Sequence, residues 1–290
     1  MKNKKYMDME TGEVVVGAIL PTDVNTNYKL TDLRQVDNYR RTTERGAEMQ
    51  KFNDSVGSYT FALRESVNTL FSNELFNDTE RVSIMYIGSF VDYNCNLMTN
   101  NNMLMDKKLM NKYVRIAGKY NAFNNFYNKL IESGILTEED GCLKWDNKLC
   151  FKGKPQLHGN KINNCYRTYD QTLQRLYENN QPKSLSVVFR LLPYVNKFTN
   201  ELCRIIDVPT YSADDLYSPQ EVAELLGITD PMDKKNFVRR ALKIKVGNEF
   251  VFMVSKVGKV AKVTINPKLV WMNGTAPEHT LLNLFELAKK

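Results

Sequence analysis

The tetrad Ser218-Pro219-Gln220-Glu221, followed shortly by Gly227, restricts this chain more than any other sequence feature. A Ser that accepts from the third helical N–H, a Glu reaching back to the Ser and a Pro at the first helical position open a helix. A glycine that takes the left-handed conformation without penalty closes it within about two turns. So short a helix must pack against a neighbour to persist. The neighbour starts at Thr229 or Asp230, with Phe237, Val238, Ala241 and Ile244 on its apolar face. At roughly 100° per residue, the opposite face holds Lys235, Asn236, Arg239, Arg240 and Lys243. A long hairpin follows: Glu249–Ser255, a turn at Val257-Gly258, then Lys259–Ile265. Lys256, Lys259 and Lys262 cluster near its tip.

An earlier segment shows the same order. Asp78-Thr79 can cap a helix carrying Val82, Met85, Tyr86 and Phe90. After an Asn-rich loop, Asp106 can cap a helix with Leu109, Met110, Val114 and Ile116, which Gly118 can end. Asn121 opens the next helix, with Phe123, Phe126, Leu130 and Ile131 inward and Gly134 as its stop. Its outer face holds Asn124, Asn125, Asn128 and, toward the edge, Lys129. Ile135-Leu136 can start a strand, Glu138-Glu139-Asp140-Gly141 is a turn, and strands are expected at Cys142–Trp145 and Lys148–Phe151. Helix, turn, helix and hairpin is the order of a winged helix. The hairpin exits also run alike, Asp146–Gly153 and Ile265–Gly274, which suggests two copies of one module.

The chain carries a net charge of +7 over 290 residues, unevenly placed. Residues 232–268 hold ten basic and two acidic residues, net +8, and residues 106–154 hold ten and six, net +4, which leaves −5 elsewhere. Solubility alone does not require such sorting, whereas two basic segments on a slightly acidic body suit an anionic partner. A basic face that is merely solvated is the plainer reading of either segment. Lys and Arg there would supply phosphate contacts. Asn124, Asn125, Asn128, Asn236 and Arg239 are the candidates for reading bases, since Asn pairs with adenine and Arg with guanine in the major groove. Lys144, Lys148 and Lys152 would touch phosphates from the first wing, or be ordinary exposed strand lysines.

Catalytic and metal chemistry find little support. The five cysteines are widely spaced without a CxxC pair, which suits free thiols in a reducing compartment, and Cys142 and Cys150 are expected to face each other across a hairpin. His158 and His279 are the only histidines, so zinc clusters, His-paired metal nucleases and Ser-His-Asp engines lack their parts. No phosphate-loop or GxGxxG pattern occurs. Glu138, Glu139 and Asp140 sit on a turn tip and read as solvated rather than as a nuclease site. The expectation is a protein that is not an enzyme and needs no cofactor or metal. No apolar run approaches the ~20 residues of a membrane span and no signal segment follows the Lys-rich start, so the expected compartment is the cytoplasm of a bacterial host, with no membrane partner.

The remaining chain is expected to frame these modules. A polar arm covers 1–55, with a turn between short strands at Tyr6–Val14 and loose order over Asp23–Asp54. The first module is 56–154. A helical linker covers 155–206: one helix starts at Tyr169-Asp170, and a run from Ser184 to Ile205 is broken at Pro193. Tyr166, Tyr169 and Tyr177 are read as a packed core rather than a stacking platform for bases. The second module is 207–274, and 275–290 is a C-terminal helix that packs on the body or pairs two copies as a homodimer. The fold class is therefore mainly α with small β-hairpin wings (α+β), two winged helix-turn-helix modules joined by a helical linker.

Three stretches carry a family resemblance: YMDMETGEVV at Tyr6–Val15, FYNKLIESGIL at Phe126–Leu136 and INPKLVWMNG at Ile265–Gly274. With them the chain resembles the winged-helix replication proteins of phages and plasmids of low-GC bacteria. Its tandem plan is similar to plasmid initiators built from two winged helices, which bind short repeats at a replication origin. The first module departs from them in being Asn-rich where such recognition helices often carry Ser, Thr or Arg. The resemblance implies a sequence-specific double-stranded DNA-binding protein, a replication initiator-like protein or transcription regulator, with host or phage replication or transcription proteins as further partners. The rival expectation is a winged-helix protein-interaction or virion component that does not bind DNA.

Overall fold

Two β-rich stretches, Tyr59–Leu63 and Cys165–Tyr169, pair antiparallel at the middle of a four-stranded sheet. The sequence pattern predicts no strand at either, because their alternation is short and merges into the helices that follow. The computed structural model describes residues 5–8, 14–16, 30–116, 121–159, 164–241, 243–258 and 260–287. It divides into two compact units, residues 1–51 and 52–290. The architecture is mixed α+β, with helices and small antiparallel sheets. No helix among the described residues is long and apolar enough to cross a membrane.

In the first unit, β1 (Lys5–Asp8) lies between β2 (Val14–Val16) and β3 (Leu30–Asp32) in an antiparallel sheet. Tyr6 stands opposite Val15 and Asp32, so the expected pair of short strands is present and a third joins it. The 24-residue helix α1 (Leu33–Val56) corrects the expectation of a loosely ordered arm from residue 33 onward. Its Arg, Gln, Glu, Met and Lys residues favour a helix, but they form no apolar stripe for a periodicity reading to detect. An ion pair between Arg40 and Glu44, 3.1 Å apart at i,i+4 spacing, adds local support.

The second unit is built twice on one plan. The first repeat runs β4 (Tyr59–Leu63), α2 (Arg64–Ser72), α3 (Asp78–Gly88), α4 (Lys107–Tyr113), α5 (Ala122–Glu132), the hairpin β5 (Leu136–Glu139) and β6 (Cys142–Trp145), then β7 (Cys150–Phe151). The second runs β8 (Cys165–Tyr169), α6 (Asp170–Asn179), α7 (Pro182–Leu191), α8 (Pro219–Leu225), α9 (Pro231–Ala241), a small added hairpin β9 (Lys245–Val246) and β10 (Glu249–Phe250), the hairpin β11 (Phe252–Val257) and β12 (Val260–Ile265), then β13 (Val270–Trp271). The stretch expected as a helical linker thus carries β8, α6 and α7. The sheet order β13-β8-β4-β7 places the last strand of each repeat at an opposite edge.

The correspondence reaches single hydrogen bonds. The Leu63 N–H donates to the Leu149 carbonyl, and the Tyr169 N–H to that of Leu269. The Lys148 and Lys268 N–H groups donate to the Asp146 and Asn266 side chains. Cys95 and Asn200 both take the left-handed conformation, at φ 64° and 56°. Their carbonyls accept from the Trp145 and Ile265 N–H groups. The alike hairpin exits, Asp146–Gly153 and Ile265–Gly274, are the sequence trace of this duplication.

Several local expectations are corrected. The first hairpin is β5–β6, with Asp140-Gly141 at its tip, both at positive φ as such a turn requires. Cys150–Phe151 does not pair with Cys142–Trp145; it joins the sheet beside β4, where its side chains are fully covered. Cys142 and Cys150 therefore do not face each other, and all five cysteines are free thiols. Burial pushes the Cys150 thiol up to about 12. Helix α3 is capped by Asn77 in a capping box with Glu80, not by Asp78-Thr79. Helix α4 starts after the Asp106 cap, which accepts from the Leu109 N–H, and it ends before Val114. Gly118 lies outside the described residues. The Ser218 capping box is present as read, with Glu221 as its partner, and Asp230 accepts from the Met232 and Asp233 N–H groups to open α9. The long run after Ser184 is α7 and a single 3-10 turn through Pro193, after which the chain is irregular.

Helices α3 and α7 pack against each other across the repeats. Tyr86 stacks on Tyr177 with ring centroids 3.9 Å apart, and Phe71 on Phe189 at 5.4 Å. Tyr166, Tyr169 and Tyr177 are all fully buried, as a packed core requires. One hydrophobic cluster extends from Ala62 to Met272 and so includes both repeats. Helix α10 (His279–Leu287) packs through Phe285, and its Glu286 pairs with Lys268 at 3.4 Å.

Candidate nucleic-acid interface

Helix α9 is held from beneath. Phe237, Val238 and Ala241 meet Leu191 of α7, Val222 of α8 and Phe252 and Val263 of the β11–β12 hairpin. Packing that face inward turns the other outward, and Lys235, Arg239, Arg240 and Lys243 are exposed. None of these four cations forms an ion pair among the described residues; Arg239 only donates to the half-buried Asn236 side chain at 3.4 Å. On the hairpin, Lys256 is exposed on β11. Lys259 lies outside the described residues. Lys262 is not available as expected, because it points to Glu201, a buried carboxylate that also accepts from the Tyr211 hydroxyl.

In the first repeat, Asn124, Asn125 and Asn128 are exposed on α5, as read. Its lysines differ. Lys129 turns inward and its Nζ lies 3.0 Å from both carboxylate oxygens of the buried Glu80. Lys144 pairs across the hairpin with Glu139. Lys152 pairs at 3.0 Å with Asp170. Burial raises the Asp170 carboxyl pKa, and Lys152 partly offsets that rise. Of the three lysines expected on the first wing, Lys148 alone is exposed without an ion pair among the described residues, in the turn after β6 rather than on a strand. Glu138 accepts from the Tyr127 hydroxyl at 3.0 Å. The structure thus separates the nine described basic candidates by what holds their charge, which residue counting does not register.

A cleft of about 690 Å³ opens between α7 and α9. Arg240 and Lys243 line it from the α9 side, Lys183 and Arg190 from α7, and Asn180 from the bend between α6 and α7. Among the described residues, Asp233 is the one carboxylate in its lining. Sequence reasoning assigned no role to Lys183 or Arg190, since they fall on a helix taken as a connection. The repeated helix pair α2–α3 and α6–α7 was the missing signal. No cluster of metal-ligating side chains occurs among the described residues. Comparison with known family models, curated proteins and solved structures finds no match to this chain.

Proposed function

We propose that the protein is a sequence-specific double-stranded DNA-binding protein, acting as a replication initiator-like protein or a transcription regulator, with each repeat serving as a winged-helix module. The observation that carries the reading is the outward face of α9, with exposed Lys235, Arg239, Arg240 and Lys243 that no carboxylate of the described chain neutralises. Cations left unpaired on a helix that is anchored along its other face suit a helix entering a major groove ~12 Å wide. Phosphate contacts from these residues provide the salt-dependent part of the affinity. Asn236 and Arg239, with Asn124, Asn125 and Asn128 of the first module, provide base readout.

Selection of bound duplexes from random DNA, followed by anisotropy titration of the winners at low salt, tests the reading. Enrichment of a common sequence supports it. Absence of duplex binding at low salt, or binding unchanged by Lys235→Glu, Arg239→Glu and Lys243→Glu together, refutes it and favours a protein-interaction module.

A further inference from the structure

The two repeats provide a direct comparison for the α7–α9 cleft. Counting from the helix caps, Asn77 and Gln181, the third helical residue is Glu80 in α3 and Ser184 in α7. On the facing helix, Lys129 precedes the buried Leu130 of α5, and Arg240 precedes the buried Ala241 of α9. In the first repeat the pair closes: Lys129 reaches both oxygens of Glu80. In the second repeat Arg240 faces a cleft to which Ser184 brings a hydroxyl instead of a carboxylate. Lys183, Arg190 and Lys243 add three further cations to that lining. Arg190 is half-buried and uses one of its five donors on the Leu226 carbonyl, at 3.3 Å.

The second repeat therefore keeps the cation and has a serine in place of the carboxylate that pairs with it in the first; Asp233 also lines the cleft but forms no ion pair with Arg240. The rest of the lining narrows the ligand. Val187, Leu226, Phe237 and Ile244 form an apolar floor, and Asn236 adds an amide to the lining, while the Asn180 amide is held by the Leu176 and Lys245 carbonyls. A volume of about 690 Å³ lies in the range of small-molecule sites. We propose that this cleft binds a nucleotide unit, with its phosphates on Lys183, Arg190, Arg240 and Lys243 and its base against the apolar floor. Arginine suits this role because its planar fork matches phosphate oxygens in pairs. The unit can come from a free nucleotide or from the end of a single DNA strand. The site shares Asn236, Arg240 and Lys243 with the duplex face proposed above, but Lys183, Ser184 and Arg190 of α7 belong to the cleft alone, so it goes beyond duplex binding.

The test is calorimetric titration of the full chain with ATP, with inorganic pyrophosphate and with a 5′-phosphorylated single-stranded oligonucleotide. Saturable ATP binding, tighter than that of pyrophosphate, is expected. Ser184→Glu restores the carboxylate of the first repeat and is expected to weaken ATP by about tenfold or more. Lys183→Glu, at an exposed position, is expected to do the same, whereas Lys235→Glu leaves ATP binding unchanged. Oligonucleotide binding that ATP displaces supports the site in its strand-end form. Pyrophosphate bound as tightly as ATP overturns the role of the apolar floor. No saturable binding of any probe, or ATP affinity indifferent to Ser184→Glu, overturns the proposal. Duplex affinity measured on the same Ser184→Glu protein separates the two readings: this proposal can fail while duplex binding persists, and the reverse.

Discussion

On α5, Lys129 is drawn inward to the buried Glu80; on α9, the corresponding Arg240 is exposed and forms no ion pair among the described residues, in a cleft where Ser184 stands in place of Glu80. The same contrast recurs along both repeats. Lys144 and Lys152 of the first are paired with Glu139 and Asp170, while Lys235, Arg239 and Lys243 of the second have no ion pair among the described residues. The backbone plan is shared to the level of matched hydrogen bonds, yet the charges serve different ends. In the first repeat Lys129, Lys144 and Lys152 hold elements together, whereas in the second Lys262 and Lys268 do so and the α9 cations face outward. A net charge counted over a segment therefore overstates what a partner would meet wherever lysines have acidic neighbours in space.

The largest expected effect tests the shared plan. Phe151 and Trp271 fill equivalent edge strands and are fully buried. Phe151→Ala and Trp271→Ala are each expected to cost about 3–5 kcal/mol in urea unfolding. A large cost at one edge and almost none at the other would break the equivalence. The next effect tests the internal pairing. Glu80→Gln leaves the Lys129 ammonium without its carboxylate and is expected to cost about 2 kcal/mol. Arg240→Gln removes no ion pair and is expected to cost less than about 0.5 kcal/mol. Equal costs would erase the distinction between the repeats.

A smaller effect lies at the matched left-handed residues. Asn200 donates to the Ile265 and Val270 carbonyls, at 3.2 and 2.7 Å. Cys95 makes no such side-chain bond among the described residues and takes φ 64° at the steric cost of its Cβ. Cys95→Gly is expected to raise stability by up to about 1 kcal/mol, and Asn200→Gly to lower it by about 1–2 kcal/mol. The same sign at both sites would show that one of these residues is held by other forces.

Short-range signals were legible in the sequence. The Ser218 box and the Asp106 cap each act within a few residues and are present, and of the turn expected over Glu138–Gly141 only Asp140-Gly141 turns, since Glu138 and Glu139 end β5. The apolar face of α9 was also legible, because Phe237, Val238, Ala241 and Ile244 keep a helical period. The sheet was not legible, since β4 and β8 pair across a separation of about a hundred residues and β7 and β13 are two residues long. Helix α1 was missed because polar helix formers leave no stripe. The pairing of Lys129, Lys152 and Lys262 was missed for a related reason: Glu80, Asp170 and Glu201 are distant in sequence and meet them only in the fold. Nothing local distinguishes a lysine that will be paired from one that will stay free.

The claim that the second repeat presents the free cations is tested most directly by the salt dependence of duplex affinity. The comparison is between the α9 pair Lys235→Glu/Arg239→Glu and the first-repeat pair Lys144→Glu/Lys148→Glu, each measured by anisotropy over a range of salt concentrations. The α9 pair is expected to reduce the slope of log affinity against log salt by about two and low-salt affinity by about a hundredfold or more. The first-repeat pair is expected to change the slope by less than about one, because Lys144 is already neutralised by Glu139. Equal losses from the two pairs, or a larger loss from the first, would contradict the account.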